Sequence, residues 1–166
     1  MVPGDKVTGG GIRGGRPRMG GDRRPKPPAV RAERAKKPVL FVCVGNACRS
    51  QMAEAFARAY GSDILTAHSA GLAPASGVPS LTRQTLSEKN IPSEGQFPKD
   101  LESFSGKSFD VVVNLSGEPL PPAFGAARLI EWNVRDPIGE NESVYRAVAT
   151  QIEGLVMRLI LELRGG

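Results

Sequence analysis

The chain has 166 residues, 40% hydrophobic and 23% charged. That is enough for one domain with its own core. It holds only two cysteines, Cys43 and Cys48, too few for a disulfide-stapled secreted domain, so a reducing compartment and a chemical role are expected. The net charge of +5 is unevenly spread: residues 1–37 hold 11 Lys and Arg against 3 Asp and Glu, whereas the remainder holds 11 against 14. A basic arm is attached to a mildly acidic domain.

Residues 1–37 are rich in Gly, Pro and Arg, and their sparse apolar content cannot repay the entropy of ordering. A disordered arm is predicted. It reads first as an inert solubilising tail, with weak contact to nucleic-acid phosphates as its functional alternative. The basic N-terminus leads into no apolar run of signal-peptide type. No stretch approaches the roughly 20 apolar residues needed to span a bilayer. A cytoplasmic protein without a membrane partner is expected.

Structure is predicted to begin near Pro38. Val39-Leu40-Phe41-Val42 is a continuous apolar run, the pattern of a strand buried on both faces. A loop follows, and a helix is predicted from Ser50, with Met52, Ala55, Phe56, Ala59 and Tyr60 at helical spacing and Gly61 at its end. Ile64–Ser69 reads as a second strand. Ser80 caps a short helix running to Lys89. Asp110–Leu115 and Leu129–Trp132 are the third and fourth strands, and an amphipathic helix covers about Asn141 to Leu163. Strands alternating with helices predict an α/β fold: a doubly wound, four-stranded parallel sheet of flavodoxin-like order.

The segment Cys43-Val44-Gly45-Asn46-Ala47-Cys48-Arg49-Ser50 carries the chemistry. A loop entering a helix N-terminus presents backbone N–H groups and the positive end of the helix dipole, an anion cradle. Gly45 and Asn46 tolerate left-handed backbone, which turns successive N–H groups inward. Arg49 adds a planar fork for two oxyanion oxygens, and its charge at a helix N-terminus is a local misfit unless an anion binds there. The cradle that holds a dianion also favours a thiolate at Cys43, to which Ser50 can donate a hydrogen bond. Taken alone, two cysteines are more often buried core thiols; the surrounding loop reverses that reading. With His68 the only histidine, they do not form a metal set.

With Cys43 and Arg49 at this spacing, Gly45-Asn46 between them, and Ser50 and Met52-Ala53-Glu54 behind, the chain resembles the low-molecular-weight protein tyrosine phosphatase superfamily, which includes thioredoxin-coupled arsenate reductases. The resemblance covers roughly residues 38–166. It implies Cys43 as nucleophile, Arg49 as phosphate-binding arginine and Asp136, followed by Pro137, as general acid. Val44, Gly45, Asn46, Ala47, Cys48 and Ser50 form the phosphate-binding loop. It further implies that Ser69 supports the loop by hydrogen-bonding its asparagine, and that Cys48 is a redox partner able to close a disulfide with Cys43. Neither metal nor organic cofactor is implied.

Two branches compete. Gln51 and the run Glu131-Trp132-Asn133-Val134-Arg135-Asp136-Pro137 resemble the arsenate reductases, and Ile138-Gly139 stand where phosphatases often carry aromatics. Against arsenate reduction, residues 115–122 contain none of the further cysteines that branch uses, and Cys48 is phosphatase-like. The preferred expectation is hydrolysis of phosphomonoesters, on a phosphorylated protein or small ester, through a cysteinyl-phosphate. The alternatives are arsenate reduction with an external thiol and a non-catalytic phosphate-binding module.

Overall fold

The computed structural model describes residues 36–122, 124 and 126–165. The predicted arm lies almost entirely outside the described residues. The elements are β1 (Lys37–Cys43), α1 (Arg49–Gly61), β2 (Leu65–Gly71), α2 (Ser80–Glu88), a 3-10 turn (Leu101–Phe104), β3 (Phe109–Asn114), β4 (Ala126–Glu131) and α3 (Glu142–Gly165). The strands form one sheet in the order β2-β1-β3-β4, and every pairing is parallel. This is the predicted flavodoxin-like order.

β1 lies central, and Val39, Leu40, Phe41 and Val42 are all fully buried. Alternate residues therefore serve two cores. Val39 and Phe41 join Met52 and Phe56 of α1, Leu86 of α2, and Ile152, Val156 and Leu159 of α3. Leu40 and Val42 join Val112, Phe109 and the 3-10 residues Leu101 and Phe104 on the other face. That second face is covered by a short turn and flanking segments, and the periodicity of the sequence did not reveal the turn. Asp100 starts it, its side chain accepting from the Glu102 N–H at 2.9 Å.

One cap expectation changes. Pro79, not Ser80, precedes the first turn of α2, and no side chain caps it. Asn141 caps α3, its Oδ1 accepting from Val144 N–H at 3.2 Å. Among the described residues no helix is long and apolar enough to cross a membrane.

Candidate active site

The loop 44–48 joins the carboxyl end of β1 to the first turn of α1, the edge at which ligands bind in open parallel sheets. Its shape is imposed by the chain after β2. Leu72, Ala73 and Ala75 donate their N–H groups to the carbonyls of Cys43, Val44 and Gly45 at 3.1, 2.8 and 2.9 Å. Because a trans peptide sets N–H opposite C=O, these bonds turn the amides of Val44, Gly45 and Asn46 away from that segment.

Gly71 makes the close approach possible. A Cβ there would lie 2.7 Å from Val44 O and 2.8 Å from Asn46 N, both backbone atoms. The left-handed position in the loop is Asn46, at φ 50°. Gly45, expected to share that conformation, has no positive φ, and a Cβ there would make only ordinary contact, 3.8 Å from the Cβ of Ala75.

Cys43 is buried at the floor, and its sulfur lies 2.8 Å from Ser50 Oγ. Asn46 Nδ2 donates to the same hydroxyl at 2.7 Å. Arg49 is also buried. Its Nη1 donates to the carbonyls of Leu115 at 2.6 Å and Val134 at 3.2 Å, and its Nη2 lies 3.5 Å from Asp136 Oδ2. Carbonyls of the segments that follow β3 and β4 thus fix the plane of the guanidinium. Cys43, Arg49 and Asp136 line one cavity of about 240 Å³, with Val44, Gly45, Ala47, Cys48, Ala75 and Ile138 as its other walls. The three expected chemical groups share a site, and none of the described residues lining it is aromatic.

Cys48 lines the same cavity, yet its sulfur is engaged elsewhere. Thr82 Oγ1 lies at 3.3 Å and Tyr145 Oη at 3.6 Å. Burial pushes the Cys48 thiol up, and the hydrogen bonds from Thr82 and Tyr145 only partly oppose this. Tyr145 is likewise raised, chiefly by its own burial.

The support expected from Ser69 is corrected. Its hydroxyl donates to the Glu54 carboxylate on α1, which also pairs with Arg58 and has Lys99 Nζ at 3.9 Å. With Ser69 committed to that buried charge, the loop asparagine takes other partners: Asn46 Oδ1 accepts from the backbone N–H of Lys99 at 2.8 Å and from Gln51 Nε2 at 3.1 Å. Gln51 and Gly71 therefore shape the site without having been assigned to it from the sequence. Gln51 carried a signal, as one of the residues that resemble the arsenate reductases; Gly71, just beyond the predicted strand Ile64–Ser69, carried none.

Known proteins share this architecture. The description "low molecular weight phosphotyrosine protein phosphatase" matches residues 38–165. The glutaredoxin arsenate reductase of Synechocystis sp. is 36% identical over 130 residues, covering 76% of this chain and 98% of that protein. An arsenate reductase of Bacillus cereus is 32% identical, over 74% of this chain and 93% of that one. A solved arsenate reductase in its phosphate-binding state superposes with a TM-score of 0.72 at 35% identity, covering 76% and 98% of the two chains. The tyrosine phosphatase AmsI of Erwinia amylovora, 18% identical over 76% of this chain and 92% of its own with a TM-score of 0.65, shares the fold. By sequence and by fold, the chain belongs to the low molecular weight phosphotyrosine protein phosphatase family.

Proposed function

We propose that this protein reduces arsenate, with Cys43 as nucleophile and thiols supplied from outside the chain. The observation that carries the reading is the cavity itself. It places a thiol, a guanidinium and a carboxyl around about 240 Å³ walled by Val44, Ala47, Ala75 and Ile138. Such a space suits a bare tetrahedral oxyanion and offers no aromatic surface to a phosphotyrosine ring. The relatives named as arsenate reductases support the same choice.

In the first step the Cys43 thiolate attacks arsenic. An S–As bond forms, and one arsenate oxygen leaves as water after protonation, with Asp136 as the donor. Arg49 and the loop amides hold the remaining oxygens. An external thiolate then attacks Cys43 Sγ. The S–As bond breaks, its electron pair passes to arsenic, and As(V) leaves as As(III). The mixed disulfide on Cys43 is released by a second external thiol, so two thiols are oxidised to one disulfide for each arsenate reduced. External thiols take both roles because Cys48, the chain's only other cysteine, is slowed as a nucleophile by burial, which pushes its thiol up, and by its contacts with Thr82 and Tyr145.

Hydrolysis of phosphomonoesters, the reading preferred from the sequence, uses the same Cys43, Arg49 and Asp136 and takes second place for want of a ring-binding wall. The test is turnover of arsenate with glutathione and glutaredoxin, with thioredoxin, and of an aryl phosphate, all on one preparation. Arsenite formation with an external thiol system is expected to exceed aryl phosphate turnover. Efficient aryl phosphate hydrolysis without arsenite formation would reverse the order.

A further inference from the structure

The proton arrangement at the nucleophile is set from two residues away. Asn46 Oδ1 lies 2.8 Å from the backbone N–H of Lys99. A backbone amide can only donate, so this contact identifies Oδ1 and leaves Nδ2 facing Ser50 Oγ at 2.7 Å. That Nδ2 can only donate too, so the serine oxygen accepts. The serine's own hydrogen is then free for Cys43 Sγ at 2.8 Å. With its oxygen already accepting from Asn46, the hydroxyl has its hydrogen to give to the sulfur, and against a thiolate, which can only accept, it donates.

Gln51 completes this arrangement. Its side chain is fully buried, and Nε2 donates to Asn46 O at 3.0 Å, Asn46 Oδ1 at 3.1 Å and Phe97 O at 2.9 Å. Two hydrogens serve three acceptors, one being shared between the two oxygens of Asn46. Rotating the amide would set Oε1 against three oxygens, so its orientation is fixed as well. In consequence Oε1 is buried with no hydrogen-bond partner among the described residues. The far anchor is itself braced. Arg83 of α2 donates to Ser93 O at 2.7 Å and Gln96 O at 3.0 Å, and Gln96 Nε2 returns a bond to Gln51 O at 3.0 Å.

We propose that Gln51 is a positioning residue for the nucleophile: by locking Asn46 between α1 and the 96–99 segment, it makes Ser50 donate to the Cys43 sulfur. The proposal rests on Cys43 as the nucleophile and is indifferent to whether arsenate or a phosphate ester is attacked. A buried glutamine that merely fills space would affect stability and leave the reactivity of the thiol unchanged.

The experiment is the pH profile of Cys43 alkylation by iodoacetamide in full-length protein, read by peptide mass spectrometry so that Cys48 is counted separately. Gln51→Met keeps the length of the side chain and removes all three donated bonds. Its profile is expected to move upward by about one pH unit, a roughly tenfold slower reaction near neutrality, with the limiting rate at high pH retained. In a Ser50→Ala background the same change is expected to add no further shift, since the route runs through that hydroxyl. If Gln51→Met does not fold, Gln51→Asn, too short to reach Phe97 O and Asn46 together, is expected to shift the profile in the same direction. A folded Gln51 variant with an unmoved profile overturns the proposal, and so does a full shift without Ser50. No arsenate turnover enters the measurement, so the substrate reading can fail while this one stands.

Discussion

Arg49 and Asp136 face each other across the cavity, with Nη2 and Oδ2 3.5 Å apart and the Asp136 side chain 47% exposed. The carboxylate is thus the counter-ion of the guanidinium until an oxyanion arrives. A pair this exposed contributes about 1 kcal/mol or less. Asp136→Asn removes the competing charge and is expected to tighten inhibition by inorganic phosphate up to about fivefold. It also removes the proposed proton donor, so turnover should fall by about 10²–10⁴. Inhibition constants and kcat measured on the same variant separate the two effects. A variant with unchanged kcat takes Asp136 out of proton transfer.

Gly71 holds the loop down by having no side chain. Its virtual Cβ meets two backbone atoms, Val44 O at 2.7 Å and Asn46 N at 2.8 Å, and neither can move aside as a flexible side chain would. Gly71→Ala is expected to cost about 1–3 kcal/mol and to weaken phosphate binding, because the displaced amides belong to the loop proposed to hold the oxyanion. Chemical denaturation and phosphate titration check both parts. A variant that loses stability yet binds phosphate as tightly as the wild type contradicts the second.

The parts legible in the sequence were those written in consecutive residues. The run Val39–Val42 announced a central strand because both of its faces are buried, and the Cys43–Ser50 stretch announced a shared cavity because loop, thiol and guanidinium are contiguous. Contacts closed by the fold were less visible. Ser69 was expected to meet Asn46, but Glu54, fifteen positions before it in the chain, takes its hydroxyl. Asn46 turns instead to Lys99, fifty-three positions on. The 3-10 turn Leu101–Phe104 spans too few residues to show a period, and the carbonyls that orient Arg49 belong to Leu115 and Val134, whose backbone roles leave no mark in side-chain identity.

Cys48 shares the cavity with Cys43 but is drawn toward α2 and α3 through Thr82 and Tyr145. Mild peroxide is expected to convert Cys43 to a sulfenic acid, which Cys48 then attacks, releasing water and forming a disulfide. Burial pushes the Cys48 thiol up, so closure should be slower at neutral pH than in mild alkali. Peptide mass spectrometry reads the bond directly. Reductant should restore the wild type, whereas Cys48→Ser exposed to the same dose should stay inactive. Equal recovery of both proteins, with no intramolecular disulfide, would remove Cys48 from any protective role.

His68 on β2 offers a test in a different quantity, the pH dependence of stability. Its ring packs edge-on against Phe104 at 5.7 Å and Phe109 at 5.9 Å between centroids. Burial holds its pKa below the ordinary 6.5; Glu54 opposes that shift, while Arg58, Lys107 and Lys99 reinforce it. With a folded pKa below the unfolded one, the unfolded chain binds more protons just under pH 6.5. Stability from this residue is therefore fully present above about pH 6.5 and is lost as pH falls through the folded value. His68→Phe keeps an aromatic ring against both phenylalanines and removes the titration. Between pH 8 and pH 5 the difference in unfolding free energy between wild type and variant should shift steadily in favour of the variant, starting near pH 6.5. Carboxylates titrate in both proteins and cancel in that difference. A difference that stays flat, or one that moves toward the wild type on acidification, would show that the ring is not held neutral by the phenylalanine pair.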